Sequence, residues 1–595
     1  MKKILLVAFA LISILKLNAQ APCGTDEYDA YLRRTNPQYA AERQKMEQQI
    51  YSILKNKQNN PNARIAQNDC QPNGVFTIPV VFHVIHLGES VGTGTNISDA
   101  TITSSLADLN KRFRRVIGDG VDLEIQFALA VRDPNGNATT GINRVNGSSV
   151  LNYAANGVDG ANGANEKDIK DLSKWPTNRY FNIWIVKTSA YSGEATLPSS
   201  FNVDYQGIKI AYNVIWGGLL AHETGHFLGL YHTFQGDNNN SVCPVNNDCL
   251  LDGDKVCDTP PHKSSECTTR VCSVNGDFNN VYKNYMSYCG SANWSRFTQG
   301  QKDRVRNMLY SQYRWNLITS DALIPLSVPL EAGIVDLENY LNEPICNNFT
   351  PKLKVRNSGN TTITNFKIDT YIDGVFYNSN IINTSLIKNA SSIFLLQNLN
   401  FSTSGQHNVK FSIAEINGST NDYSTLNNQI CHNILVRNNS VNSFCLNLED
   451  NTVNSLLFNS DSIYNPKLTN VSGCSNTGSK VLKYNNTSTL NTDNAFYLPQ
   501  FNLDSVYSAY LVFDHAYKLD NISSKLWFGF WAVDGCDSSA KFIYSLNNNQ
   551  LASVSGRDSL NTWTPTSCSN WKKDSIYLNH LGLNNLLLKC AAWNY

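Results

Sequence analysis

The segment His222-Glu223-Thr224-Gly225-His226-Phe227-Leu228-Gly229-Leu230-Tyr231-His232 constrains this chain more than any other part of it. His222 and His226 are four apart, so a helix through them projects both rings from one face, where they can grip one cation. Glu223 stands one residue past the first ligand position. From there it can reach a cation-bound water without itself ligating. Gly229 tolerates the left-handed backbone that ends a helix and turns the chain. The turn lets His232, out of helical register, return as a third ligand. Three imidazoles leave a fourth position open for water, as a catalytic zinc site requires. Only 10 histidines occur in 595 residues, so ordinary buried histidines on a helix account poorly for the whole pattern.

Composition narrows the setting. Formal net charge is zero and 16% of residues are charged, which gives no support for binding nucleic acid or an anionic membrane. A chain this long holds three or four folding units. At the N-terminus Lys2 and Lys3 precede the apolar run 4–15, and Asn18-Ala19 offers a small residue for cleavage before Gln20. This is the pattern of a secretory signal peptide over 1–19, and it predicts an extracellular protein. The run is too short to span a bilayer, and no later stretch is long and apolar enough for a membrane helix. The 15 cysteines suit export, and their odd number leaves at least one without an intrachain partner. Six lie within 243–289, while Cys23 stands alone just after the leader.

Residues 20–63 are polar and helix-leaning, as in Glu42-Arg43-Gln44-Lys45-Met46-Glu47-Gln48-Gln49, and end in the loop signal Asn59-Asn60-Pro61-Asn62. Too short and polar to make a core, they read as a pro-segment or linker. An α/β domain is expected over 64–318. It has a buried strand at 76–85, a helix capped by Ser98 carrying Ile102, Leu106, Leu109 and Phe113, and strands at 123–131 and 180–186. The histidine helix follows, and Thr298-Gln299-Gly300-Gln301 opens a last helix with a capping box. After Pro325 short alternating strands predict a β-sandwich over 327–438 and a second β module over 441–595. The fold class expected is an α/β (α+β) catalytic domain followed by two β-sandwich modules. The chain closes on Trp593-Asn594-Tyr595 inside a strand pattern, so the last module reads as incomplete, with no obvious C-terminal sorting domain.

About fifty residues beyond the histidines, Asn284-Tyr285-Met286-Ser287-Tyr288 resembles the Met-turn of the metzincin clan. The resemblance implies that Met286 forms an apolar floor beneath the metal. It also implies that Tyr288 is the tyrosine that several metzincin families use to stabilise the tetrahedral intermediate. Asp252-Gly253-Asp254-Lys255-Val256-Cys257-Asp258-Thr259-Pro260 lies between the two motifs. With Ile78-Pro79-Val80-Val81-Phe82-His83-Val84-Ile85 and Arg296-Phe297-Thr298, it is similar to the small microbial, ulilysin-like members of the pappalysin family.

That resemblance covers roughly residues 76–313 and implies a monomeric zinc endopeptidase acting on a protein or peptide, with Glu223 as general base. It further implies calcium held by Asp254, the Val256 carbonyl and Thr259, oxygen donors suited to a hard cation; a solvated acidic turn is the alternative. It pairs Cys243 with Cys272 and Cys267 with Cys289, among the fifteen connectivities that six cysteines allow. Cys249 and Cys257 have no counterpart in the simplest family pattern, and a third local bridge between them is expected. Cys23-Gly24-Thr25 resembles a cysteine switch, in which a thiolate takes the open zinc position in a latent form. A disulfide to Cys70, or a stray thiol, is the other reading. Family members that favour arginine suggest maturation beside Arg64.

Two other functions satisfy part of the pattern. The β modules could be adhesins and the zinc domain a dead scaffold, but the ligands, the base and the tyrosine are all retained. A zinc hydrolase of non-peptide bonds also fits the histidine motif. The stretch 355–374 resembles the Ig-like sandwiches that follow bacterial exoproteases. Phe513-Asp514-His515-Ala516-Tyr517 and Trp563-Thr564-Pro565 resemble a jelly-roll-like domain also appended to such enzymes.

Overall fold

The computed structural model describes residues 21–59, 74–159, 162–188, 190–267, 272, 281–289, 293–311, 313–338, 345, 348–437 and separate stretches of 456–594. The leader 1–19, Arg64 and Cys70 lie outside the described residues. The first elements are β1 (Ala21–Cys23), α1 (Thr25–Thr35) and α2 (Pro37–Asn59). Then come β2 (Phe76–His86), α3 (Asp99–Phe113), β3 (Ile125–Leu129), β4 (Ile142–Asn146), α4 (Tyr153–Asn156) and α5 (Glu166–Asp171). After them run β5 (Phe181–Val186), β6 (Tyr191–Ala195), β7 (Ile208–Ala211), α6 (Gly217–Phe227) and α7 (Gln299–Tyr310).

The unbroken apolar run of β2 is explained by its place in the sheet. A strand flanked by parallel neighbours is covered on both faces and needs no polar alternation. Its first half pairs with β3 and its second half with β4, while β5 runs along its other edge, all parallel. The sheet continues β5-β7-β6-β1, and only β6 is antiparallel to its neighbour β7. Alternate residues serve two cores. Phe76, Ile78, Val80, Phe82 and Val84 join Ile102, Leu106, Leu109 and Phe113 of α3 and Leu220 of α6. Ile85 joins Trp184, Tyr153 and Ile169 on the opposite face.

Ser98 caps α3 by accepting from the Thr101 N–H, and Thr298 with Gln301 forms a complete capping box on α7. Strands β4, β6 and β7 go beyond the sequence reading. They are four or five residues long, too short for a period-2 signal to stand out.

The polar segment 21–59 solves its lack of a core by borrowing one. Met46, Ile50 and Leu54 of α2 pack with Leu250 and Met308, which lie far along the chain. β1 becomes the seventh strand by pairing with β6.

Beyond residue 325 the described residues are mostly strand, several strands running to 10 or 12 residues where short ones were expected. Those at Ala332–Leu337, Lys352–Asn357 and Ser391–Leu395 form one sheet. Those at Ile363–Ile372, Val375–Leu386, Gly405–Ile416 and Gln429–Val436 form another. The two share one apolar core containing Leu353, Val355, Phe366, Ile368, Val409 and Phe411. Buried Arg132 ties this unit to the α/β sheet by donating to the carbonyls of Ile324, Pro325 and Ser358 at 2.6, 2.8 and 2.7 Å. Asp321 adds ion pairs to Arg179 and Arg356, both at 2.8 Å. In the last part of the chain Asn585–Asn594 is an inner strand, paired with Asn494–Tyr497 on one side and Leu526–Asp534 on the other.

The Glu331 carboxyl is fully buried in the first β unit, accepting from the Ser424 N–H and the Asn427 amide at 2.8 Å each. Burial, and the proximity of Asp422, push it well above the usual carboxyl range; Asp422 is raised as well, by burial. A folded-state pKa above the unfolded value gives stability that is complete below the ordinary carboxyl range and is lost as pH rises through the folded value. Calorimetric melting is therefore expected to show this unit weakening from pH 5 towards pH 9, with Glu331→Gln flattening the slope. An unchanged slope in the variant would assign the pH dependence elsewhere.

Candidate active site

Every residue of α6 is buried, so its two histidines project into protein rather than solvent. Gly229 has φ +92, the left-handed conformation that stops the helix. The Gly229 N–H bonds back to the His226 carbonyl at 2.8 Å and the Leu230 N–H to the Gly225 carbonyl at 2.9 Å. The reversal brings His232 round to face its predecessors. The Nε2 atoms lie 3.3 Å apart for His222 and His226, 3.1 Å for His226 and His232, and 3.2 Å for His222 and His232.

Each ring is oriented by its other nitrogen. The Nδ1 of His222 donates to the Tyr285 carbonyl at 2.6 Å, that of His226 to the Leu230 carbonyl at 2.8 Å, and that of His232 to an Asp26 carboxylate oxygen at 2.8 Å. Those acceptors commit the proton to Nδ1, which leaves three bare Nε2 lone pairs pointing at one another. Burial pulls His222 down to about 3 and His226 well below the usual imidazole range, so those two rings do not relieve the clash by taking up a proton. A divalent cation does relieve it, and three neutral imidazoles with fixed outer partners are the donor set such an ion takes. The Sγ of Cys23 completes the cluster, with all four ligand atoms within 4.8 Å of one another.

Met286 is fully buried. A Cβ on Gly225 would lie 2.5 Å from its sulfur, so the turn presses on the helix where the helix has no side chain. Asn284 and Gln301 exchange amide bonds at 2.8 and 3.0 Å, tying the turn to the start of α7. Disulfides join Cys243 to Cys272, Cys267 to Cys289 and Cys249 to Cys257. Their ends bracket the irregular segment between the histidine motif and the turn. The Tyr288 ring packs on His232 with centroids 4.7 Å apart, and its hydroxyl donates to the Cys23 carbonyl at 3.4 Å. Trp294 stacks on His222 at 5.2 Å.

Glu223 is fully buried, with Oε2 3.5 Å from the Cys23 sulfur and 3.4 Å from the Thr25 hydroxyl. Burial pushes its carboxyl well up, and burial with the neighbouring Glu223 does the same to the Cys23 thiol. A cation among the imidazoles reverses that cost for a thiolate. Cys23 reaches this position because β1 runs parallel to β6, with Cys23 opposite Gly193. The Thr25 hydroxyl, which accepts from the Ala195 N–H at 2.9 Å, locks the register.

At the second expected metal loop, Asp254 is buried, and burial pushes its carboxyl up to about 8. The Thr259 hydroxyl lies 2.9 and 2.7 Å from the two Asp254 oxygens and 2.7 Å from the Val256 carbonyl. A carboxyl, a hydroxyl and a backbone carbonyl are the donor types a hard cation takes. Asp258 instead caps α7, accepting from the Thr298 hydroxyl at 2.7 Å and the Gly300 N–H at 2.8 Å.

Thr25 and Asp26 are contacts that sequence reasoning missed, as are the outer carbonyls of Leu230 and Tyr285. An acidic residue three past a candidate switch cysteine was the only available hint, and it is too common a pattern to single out.

Residues 163–310 match the family model described as pregnancy-associated plasma protein-A. An extracellular metalloprotease of Neurospora crassa is 28% identical over 273 residues, covering 43% of this chain and 81% of the relative. One from Colletotrichum graminicola is 29% identical over 275 residues, covering 43% and 84%. Among solved structures, a mutant of Tannerella forsythia promirolysin is 27% identical, covering 51% of this chain and 99% of that one at a TM-score of 0.37.

The contact between helix and turn is open to a direct test. Gly225→Ala is expected to cost about 1–3 kcal/mol through overpacking against Met286, read from chemical denaturation. A variant as stable as the parent would show that the turn does not press on the helix.

Proposed function

We propose that this chain, a member of the pappalysin family of metalloproteases, is a secreted zinc endopeptidase held latent by its own N-terminal segment. The observation that carries the reading is the convergence of three bare imidazole nitrogens at 3.1–3.3 Å, each ring oriented through its Nδ1. His222, His226 and His232 would hold the zinc. Bound there, zinc supplies acidification of a water and polarisation of the scissile carbonyl. Asp254, Val256 and Thr259 would hold a structural calcium through their oxygens.

The chain's own groups do the rest. Glu223 takes the proton of the attacking water and delivers it to the leaving amine. The Tyr288 hydroxyl donates to the oxygen on which charge develops, a type of contact whose loss commonly costs ~10²–10³ in rate. Strand β6, once uncovered, offers backbone donors and acceptors that an extended peptide can pair with. In the latent form β1 occupies that edge, the Cys23 carbonyl takes the Tyr288 hydroxyl, and the Cys23 thiolate would join the three imidazoles in holding the zinc. The buried thiol and its place among the imidazoles support this over a bond to Cys70.

Export is supported by the printed names of the relatives, which are extracellular metalloproteases, and by the leader pattern. No helix among the described residues is long and apolar enough to cross a membrane. The dead-scaffold alternative is disfavoured because base, ligands and tyrosine converge on one point.

Two measurements test the proposal. Casein digestion is expected to stop on chelation, and Glu223→Ala is expected to keep stoichiometric zinc by elemental analysis while losing turnover; an active variant would overturn the role of Glu223. Cys23→Ala is expected to make the unprocessed chain cleave substrate without prior loss of the segment. Unprocessed Cys23→Ala as silent as the parent would end the switch idea.

A further inference from the structure

The N-terminal segment makes a second contact with the catalytic domain that involves no metal ligand. Glu47 of α2 is buried, and its oxygens lie 2.6 and 2.7 Å from Nη2 of Arg304 and 3.1 Å from Nζ of Lys255. The Tyr231 hydroxyl donates to it at 2.8 Å. Arg43, one helical turn back, reaches the Tyr231 hydroxyl at 2.6 Å and the Pro198 carbonyl at 2.7 Å. Burial alone would raise the Glu47 carboxyl; Arg304, Lys255 and Arg43 outweigh it and hold it well below the usual range.

The catalytic-domain side of this contact is built from backbone that also shapes the metal loops. Tyr231 directly precedes His232. Arg304 spends its Nε on the Gly229 carbonyl at 2.8 Å, the turn that returns the third histidine. Lys255 stands between Asp254 and Val256. Two cations and a phenol converge on one point, and the group that meets them is a carboxylate from 180 or more residues away. Neutralising Glu47 in the folded chain deprives buried Arg304 and partly buried Lys255 of their shortest ion pairs, a costly arrangement.

We infer that the catalytic domain carries a carboxylate pocket formed by Arg304, Lys255 and Tyr231 behind the histidine turn, occupied in cis by Glu47, which clamps the segment independently of metal. The apolar contacts of Met46, Ile50 and Leu54 seat α2 beside it. The clamp rests on the reading of 21–59 as a pro-segment. It makes release a two-point event, with the thiol at the zinc and the carboxylate behind it each holding one part of the segment.

Hydrogen exchange on the full chain tests this, with and without chelator. In the parent and in Cys23→Ala the amides of α2 should stay protected after zinc is stripped. In Glu47→Gln they should exchange about a hundredfold faster in both conditions, while α3 and β2 stay protected. Lys255→Met, which alters a side chain that partly reaches solvent, should loosen α2 about tenfold. Parent-like protection of α2 in both variants overturns the clamp, as does loss of α2 protection in Cys23→Ala on chelation alone. Latency of Cys23→Ala is a separate readout, so the switch and the clamp can fail independently.

Discussion

Three imidazole lone pairs directed at one point make an arrangement that protein alone does not stabilise, and much of the catalytic domain is organised around holding it. Each ring depends on an outer partner from a different place. His226 uses the Leu230 carbonyl from the turn that follows its own helix, His222 uses Tyr285 from the Met-turn, and His232 uses Asp26 from the N-terminal segment. The Met-turn is in turn tied to α7 through Asn284 and Gln301 and stapled through Cys289 to Cys267. Outer partners fix the tautomer and the ring plane, and a metal site is only as well defined as they are.

The same dependence explains why the segment 21–59 is ordered although it has no core of its own. It completes the sheet at β6, supplies the partner of His232, and lends apolar side chains to a cluster with Leu250 and Met308. Its polar composition is misleading because buried Arg43 and Glu47 find hydrogen-bond partners in the catalytic domain rather than in water. A sequence window sees charged residues on a helix, whereas the structure sees ion pairs that exclude solvent.

Legibility followed distance along the chain. The zinc motif is compressed into one helix and one turn, so spacing alone conveys its geometry. β2 was legible from its continuous apolar run, α3 from its cap and periodicity, and α7 from its capping box. Strands β4, β6 and β7 were not, because a strand of four or five residues carries too few alternations to separate it from loop. β6 is the most consequential of these, since it is the edge that β1 covers.

By itself, the sequence conveyed the local arrangement: which histidines can meet, where the helix must stop, and which glutamate stands beside them. It could do so because helical geometry turns a spacing of four into a shared face, and a glycine into a turn. Only the tertiary structure decided what surrounds that arrangement. The acceptor for His232, the neighbours of Glu223 and the cations around Glu47 are contacts across roughly 200 residues or more. Such pairs are selected by the packing of the whole domain, and no local pattern encodes them.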